Sequence, residues 1–217
     1  MYGGGTLDGQ GKVAWECKKS KKCTKIPNNL SFNSLTNFII KDITILDKSF
    51  HVNVNQCKNL TFLHFNVKAP DDSPNTDGIH ISRSSTVNVT DSTFSSRDYC
   101  ISIGDETEQL HITEVTCRRG HSISFGSLGR NPGEKPVLPS QVKISKLTIQ
   151  NIKGTSRTQN AVSLLCSKGA PCEGVEVGDI DITYSGKEGP VKSSCENINP
   201  SLKGKQIPAV CSTVADE

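Results

Sequence analysis

Long apolar runs are missing from this chain of 217 residues, and with them any stretch of membrane-spanning length. Aromatic residues are 5% of the sequence and the hydrophobic set 34%, low for a sandwich or an α/β enzyme. Helical periodicity is almost absent, so the chain reads as strand and turn. Charge of neither sign dominates: 25 Lys and Arg face 22 Asp and Glu, a net charge of +3. The one dense run, Lys18, Lys19, Lys21 and Lys22, has no interleaved aromatics and reads as a solvated loop, not a nucleic-acid surface. A phosphate loop is excluded as well, because Gly5-Thr6-Leu7-Asp8-Gly9-Gln10-Gly11 lacks the Gly-Lys-Ser/Thr that opens a helix. The opening Met1-Tyr2-Gly3-Gly4-Gly5 is no basic-then-apolar leader. On that reading, either a secreted precursor has lost its start or the product bypasses that route.

Present in quantity are Asn, Ser, Thr, Gly, Val and Ile, which suit short strands joined by many turns. Alternating runs succeed one another at residues 35–46, 50–54, 60–67, 78–81, 86–94, 100–103 and 110–117. No composition shift marks a linker, so residues 1–217 are expected to form one domain. From residue 186 the sequence turns polar and rich in Gly and Pro, and an irregular tail over 186–217 is expected. Nine cysteines are a heavy load. Six of them, Cys100, Cys117, Cys166, Cys172, Cys195 and Cys211, can pair within neighbouring segments. No paired C-x-x-C exists and no His completes a zinc set, so no metal site is expected and the oxidising secretory route is favoured. Three sequons agree, with Asn29, Asn59 and Asn88 as the glycosylation candidates.

A repeat organises the middle of the chain. Ile79 in Asp77-Gly78-Ile79-His80-Ile81, Ile101 in Tyr99-Cys100-Ile101-Ser102-Ile103 and Ile123 in His121-Ser122-Ile123-Ser124-Phe125 are each 22 residues apart. The second strand of each unit recurs too, at steps of 27 from Leu60 to Val87, 23 from Val87 to Leu110 and 33 from Val142 to Val175. Periods of this size signify a solenoid whose coils stack on their neighbours. The all-β fold expected is a right-handed parallel β-helix, in which Ile79, Ile101 and Ile123 form one inward ladder and Ile81, Ile103 and Phe125 another. A leucine-rich repeat is the alternative, but its Leu-x-x-Leu-x-Leu spacing is missing. After Gly129 the rhythm breaks, with three prolines between Arg130 and Pro139.

In the 22-residue register, Asp77, Tyr99 and His121 share one row, with Asp98 one position before Tyr99. Two carboxylates are the minimum for glycoside hydrolysis, one protonating the leaving oxygen and one activating water or attacking. Stacked on adjacent coils, Asp77 and Asp98 would repel, which raises one pKa and supplies the acid. The competing reading of such Asp residues is as strand-edge turn caps, and of His121 as a structural residue.

The wording of the motifs is more specific. The carriers are Gly5-Thr6-Leu7-Asp8-Gly9-Gln10-Gly11, Ser73-Pro74-Asn75-Thr76-Asp77-Gly78-Ile79-His80-Ile81, Cys100-Ile101-Ser102-Ile103-Gly104, Gly120-His121, Gly126-Ser127-Leu128-Gly129-Arg130 and Asn151-Ile152-Lys153-Gly154-Thr155. Through them nearly the whole chain resembles the plant exopolygalacturonases of glycoside hydrolase family 28. The resemblance implies a parallel β-helix, no cofactor, a monomer, and inverting hydrolysis of α-1,4-linked galacturonan in the cell wall. It implies Asp98 as general acid, Asp77 as water-activating base, His121 as support for the acid, and Asn75, Arg97, Tyr99 and Ser122 along the substrate path. It also implies the pairs Cys100–Cys117, Cys166–Cys172 and Cys195–Cys211.

The departures are equally specific. Where the family has Gly-Asp-Asp this chain has Arg97-Asp98-Tyr99, so a second water-activating carboxylate is replaced by a phenol of ordinary pKa about 10. Where the family has Gly-His-Gly, Ser122 adds a Cβ. The family's Arg-Ile-Lys cation clamp is absent, with Arg97, Arg118, Arg119, Arg130 and Lys168 as candidate replacements. Further coils of the family, between Lys135-Pro136-Val137 and Ser140-Gln141-Val142, are bridged here by Leu138-Pro139. An N-terminal cap segment is expected to be missing. Each lost electrostatic contact weakens transition-state stabilisation by about 2.7 to 4 kcal/mol. A silent galacturonan-binding β-helix is therefore the alternative function. A calcium-dependent pectate lyase is the enzyme rival, resting on Asp71-Asp72 alone.

Overall fold

The computed structural model describes residues 1–23, 30–46, 52–70, 73, 76–125 and 144–211. The chain starts with strand β1 (Thr6–Asp8) and helix α1 (Gly11–Lys19), then winds through repeated turns. The first turns carry β2 (Leu30–Asn33), β3 (Thr36–Lys41), β4 (Thr44–Leu46), β5 (Val52–Asn55), β6 (Lys58–Leu63) and β7 (Asn66–Lys68). Then come β8 (Ile79–Ser82), β9 (Ser85–Ser95), β10 (Tyr99–Ile103), β11 (Thr107–Arg118) and β12 (His121–Phe125). The last turns hold β13 (Ile144–Ser156), β14 (Asn160–Leu165), β15 (Glu173–Tyr184), β16 (Lys192–Glu196) and β17 (Ser201–Ile207).

Every pairing among these strands is parallel, as a solenoid requires. One sheet runs in the order β16-β14-β12-β10-β8-β5-β2, and the second, facing sheet holds β1, β3, β4, β6 and β7 with the long strands β9, β11, β13, β15 and β17. The expected ladders are present: Ile79, Ile101 and Ile123 pair in sequence, as do Ile81, Ile103 and Phe125. Each lies in one continuous core that also takes Leu60, Val87, Leu110, Leu147 and Val175 from the facing sheet. Scarce aromatics suffice because each coil fills the solenoid interior with several aliphatic side chains, such as Ile101, Ile103, Leu110 and Ile112, and each such burial is worth roughly 1.5–3 kcal/mol. Phe62 and Phe65 cluster edge-on with ring centroids 5.3 Å apart.

The corners explain the polar composition. Asn37, Asn59, Thr86, Gln109 and Lys146 occupy the same turn of successive coils with φ of 57°, 57°, 57°, 55° and 57°. Left-handed backbone of this kind is most readily adopted by Asn and other polar residues. Asn59 Nδ2 donates to Asn37 Oδ1 at 2.7 Å along that column. At a second corner His64 sits between two aspartates, Nδ1 2.9 Å from Asp42 and Nε2 2.9 Å from Asp91. Of the sequons, Asn59 is exposed and Asn88 half-buried on β9, while Asn29 lies outside the described residues.

The structure departs from the sequence reading in three elements. Residues 11–19 form a helix, invisible to periodicity because only Gly11 of it is buried and no apolar stripe is needed. The lysine run closes its last turn and the Cys17–Cys23 bridge that follows, a pair outside the expected six. The tail expected to be irregular over 186–217 is ordered in its described part, to residue 211: β16 and β17 add a strand to each sheet, and Cys195–Cys211 ties them down. Their side chains are largely exposed, so the alternation that betrays inner strands is muted. Cys100–Cys117 and Cys166–Cys172 are bridged as well, and Cys57 is free and buried. Among the described residues no helix is long and apolar enough to cross a membrane.

Coils on either side of residues 126–143 stack directly. β11 pairs β13 from Thr107↔Ile144 to Cys117↔Gly154 without a register shift, and Ile123 pairs Val162.

Candidate active site

The candidate residues meet at the corner where the long strands turn into the short ones. Just before β8, the fully buried Ser73 and Thr76 bond hydroxyl to hydroxyl at 2.8 Å and fix the approach to Asp77. Gly78 N–H then donates to the Tyr99 carbonyl at 2.7 Å, locking this coil to the next. Asp77 is only 8% exposed, and a buried carboxylate needs donors. Among them are Ser102 Oγ–H at 2.6 Å to Oδ2 and Tyr99 N–H at 3.3 Å to Oδ1. The same Tyr99 N–H reaches Asp98 Oδ1 at 3.0 Å. One backbone amide therefore holds both carboxylates, which the 22-residue register had placed on neighbouring coils.

Asp98 is itself locked from the other side, since His121 N–H donates to its carbonyl at 3.0 Å. The backbone of Gly120 presses so close that a Cβ there would overlap the Asp98 carbonyl oxygen. His121 stands beside Tyr99, ring centroids 5.1 Å apart and planes at 41°. Its Nδ1 lies 2.8 Å from Thr158 Oγ1, whose own hydrogen goes to the Asn160 carbonyl at 3.0 Å. Thr158 thus accepts, His121 carries its hydrogen on Nδ1, and Nε2 is left as the proton-accepting nitrogen.

A second imidazole supports Asp77 from behind. His80 Nδ1 lies 2.8 Å from Ser102 Oγ. Because the Ser102 hydrogen is committed to Asp77, His80 donates, giving the chain His80 to Ser102 to Asp77. Burial pushes the His80 pKa below its usual value, against the opposing pull of Asp77 and Asp105. The unfolded chain then binds a proton at His80 more readily than the folded one, so this contribution to stability is lost as pH falls below about 6.5. His80→Gln is expected to flatten the fall in denaturation midpoint between pH 7 and 5; an unchanged slope would exclude His80 as its source.

The remaining candidates divide. Arg97 and Tyr99 lie on the site corner, Arg97 exposed and Tyr99 half-buried. Ser122 is corrected: it is 0% exposed, and its Oγ has no hydrogen-bond partner. It faces a small cavity shared with Ile149, Ile152 and Val162, so it cannot touch a sugar from the groove. Lys168 falls in the turn after β14, at the opposite end of the short strand from the site. Arg118 ends β11 at the site corner. Asn75, Arg130 and the pair Asp71-Asp72 lie outside the described residues. Ser102, His80 and Thr158 were missed. The first two pair as Ser102↔His80 in the same ladder that revealed the isoleucines, on the opposite face of the sheet, so the register contained that signal.

A right-handed parallel β-helix with two carboxylates and an imidazole gathered on one corner places the chain among the glycoside hydrolases. The model of "Glycosyl hydrolases family 28" matches residues 1–137 and 130–211, and the chain belongs to that family. A polygalacturonase of Nicotiana tabacum is 61% identical, with 99% of this chain and 70% of the relative covered. An exopolygalacturonase of Oenothera organensis is 43% identical, over 98% of this chain and 77% of the relative. The tobacco alignment spans 278 positions against 217 residues here, so the relative carries positions with no counterpart in this chain. The family model matches in two parts that overlap at residues 130–137. Among solved structures, an endo-xylogalacturonan hydrolase from Aspergillus tubingensis superposes with a TM-score of 0.69 at 19% identity, covering 92% of this chain and 68% of the other. A polygalacturonase from Erwinia carotovora ssp. carotovora gives 0.57 at 14%, covering 97% and 70%. These two likenesses speak to the fold.

Proposed function

We propose that the chain hydrolyses α-1,4-linked galacturonan in pectin, from the chain end, with inversion, acting outside the cell as a monomer. The observation that supports this best is the shared Tyr99 N–H, which brings Asp77 and Asp98 to one point at an open corner. Asp98, half-buried and next to His121, protonates the leaving glycosidic oxygen, and its proton is returned through the corner that His121 lines. Asp77, which accepts the Ser102 hydroxyl at 2.6 Å, takes a proton from the attacking water. No metal or organic cofactor enters this step. Four bridges and two described sequons support the extracellular setting.

Tyr99 sets the limit on rate. Its phenol stands in the row where the family pattern has a carboxylate, so Asp77 works alone on the water. Tyr99→Asp is expected to raise kcat on polygalacturonate by about tenfold, measured as reducing-end release; a fall would show that the phenol takes part. The same site with little chemistry is a galacturonan-binding module, the reading that Tyr99 itself favours. Proton NMR of early products separates them. The enzyme reading expects free galacturonate appearing first as the β-anomer. Longer oligomers would remove end-wise action, an α-anomer would remove inversion, and no product at all would leave the binding module.

A further inference from the structure

An open pocket of about 620 Å³ lies one coil beyond His121, and two arginines, Arg119 and Arg157, are among the residues that line it. Its volume falls within the usual range for ligand sites, roughly 300–1,000 Å³. Arg119 follows β11 and Arg157 follows β13, both at the site corner. Their backbones are pinned to adjacent coils: Arg119 N–H donates to Thr155 Oγ1 at 3.3 Å, and Arg157 N–H donates to the Gly120 carbonyl at 3.0 Å. Thr158, next to Arg157, is the residue that holds His121 Nδ1. The pocket and the reacting corner are thus parts of one rigid ladder, about 4.8 Å apart per coil.

We propose that Arg119 and Arg157 form a subsite for the carboxylate of a uronate unit next to the bond that reacts. The assignment rests on the galacturonan reading above and supplies what the missing Arg-Ile-Lys pattern would otherwise provide. Guanidinium forks match a carboxylate in two parallel hydrogen bonds, which a neutral sugar or a methyl ester cannot reproduce. The rest of the wall suits the remainder of a sugar: the exposed Ser185 hydroxyl for a ring oxygen and the Tyr184 ring for a C–H face, while the Ser156 hydroxyl is spent on the Thr158 carbonyl at 2.8 Å. One group opposes the anion. A Cβ on Gly186 would collide with the Tyr184 hydroxyl and lie 2.6 Å from Glu188 Oε2, so a carboxylate stands at the rim on that side. Glu188 competes for the cations and keeps the pocket from holding anions indiscriminately.

The test is calorimetric binding of trigalacturonate to the Asp98→Asn protein, which separates affinity from turnover. Arg157→Ala added to that background is expected to weaken binding by about ten- to hundredfold. Arg157→Lys is expected to recover part of the loss, and Glu188→Gln to tighten binding. Fully methyl-esterified trigalacturonate should bind the parent no better than it binds the Arg157→Ala protein. Equal affinity of parent, Arg119→Ala and Arg157→Ala for trigalacturonate, or no binding by the parent, would overturn the subsite. Reducing-end assays on wild type and Arg157→Ala separate the two levels. Arginine-dependent binding without turnover removes only the hydrolase reading. Turnover with a KM indifferent to Arg157→Ala removes only the subsite.

Discussion

Asp98→Asn is expected to cut reducing-end release from polygalacturonate by about 10²- to 10⁴-fold while leaving the fold intact. The range is that of a lost general acid, which removes proton donation to the leaving oxygen without removing substrate contacts. The substitution keeps the side-chain oxygen that accepts the Tyr99 N–H at 3.0 Å, so the local turn survives. The loss should therefore fall on kcat, with KM little changed. Asp77→Asn should be comparably damaging, because Asp77 is the other carboxylate on the shared amide and accepts the Ser102 hydroxyl at 2.6 Å. Wild-type rates in Asp98→Asn would remove Asp98 from the reaction; a collapsed circular-dichroism spectrum would instead assign it a structural role.

The second large effect is on stability. Gly120→Ala is expected to lower the unfolding free energy by roughly 3 kcal/mol, the upper end for overpacking. Its Cβ would overlap the Asp98 carbonyl oxygen and lie 2.8 Å from that of Ser96, and both are backbone atoms of the preceding coil with nowhere to move. Relief requires parting the two coils at the His121 N–H bond to Asp98, so the thermal midpoint and the activity should fall together. Gly5→Ala is the control: nothing lies within 4 Å of its added Cβ, and its midpoint should stay put. Equal midpoints for the two variants would refute the close approach at Gly120.

What could be read from the sequence followed from stacking. Inward residues of a parallel solenoid meet their counterparts one coil away, so the spacing of Ile79, Ile101 and Ile123 disclosed both the sheet and the row holding Asp77, Tyr99 and His121. The same register could not say that Ser122, one residue past His121, points into the core. Alternation assigns faces, yet at this corner the neighbour of an outward histidine is also the residue stacked on buried Cys100. Thr158 and Arg157 escaped for a different reason. They reach His121 and Gly120 across 37 residues, and the 22-residue rhythm is interrupted between them. Helix α1 and strands β16 and β17 escaped because surface elements at the ends of a stack bury too little to imprint a pattern.

The unshifted pairing of β11 with β13 has a consequence for chemistry as well as for folding. The tobacco relative aligns over 278 positions to the 217 residues here, and in this chain the Gly120 carbonyl and the Arg157 amide are direct neighbours. A shortening that conserves register acts like removing pages from a bound book: lines that were far apart come to face one another. Positive charge from a later coil thereby stands beside the candidate corner. In such a stack, excision of whole turns is a way of building a new wall for an old groove.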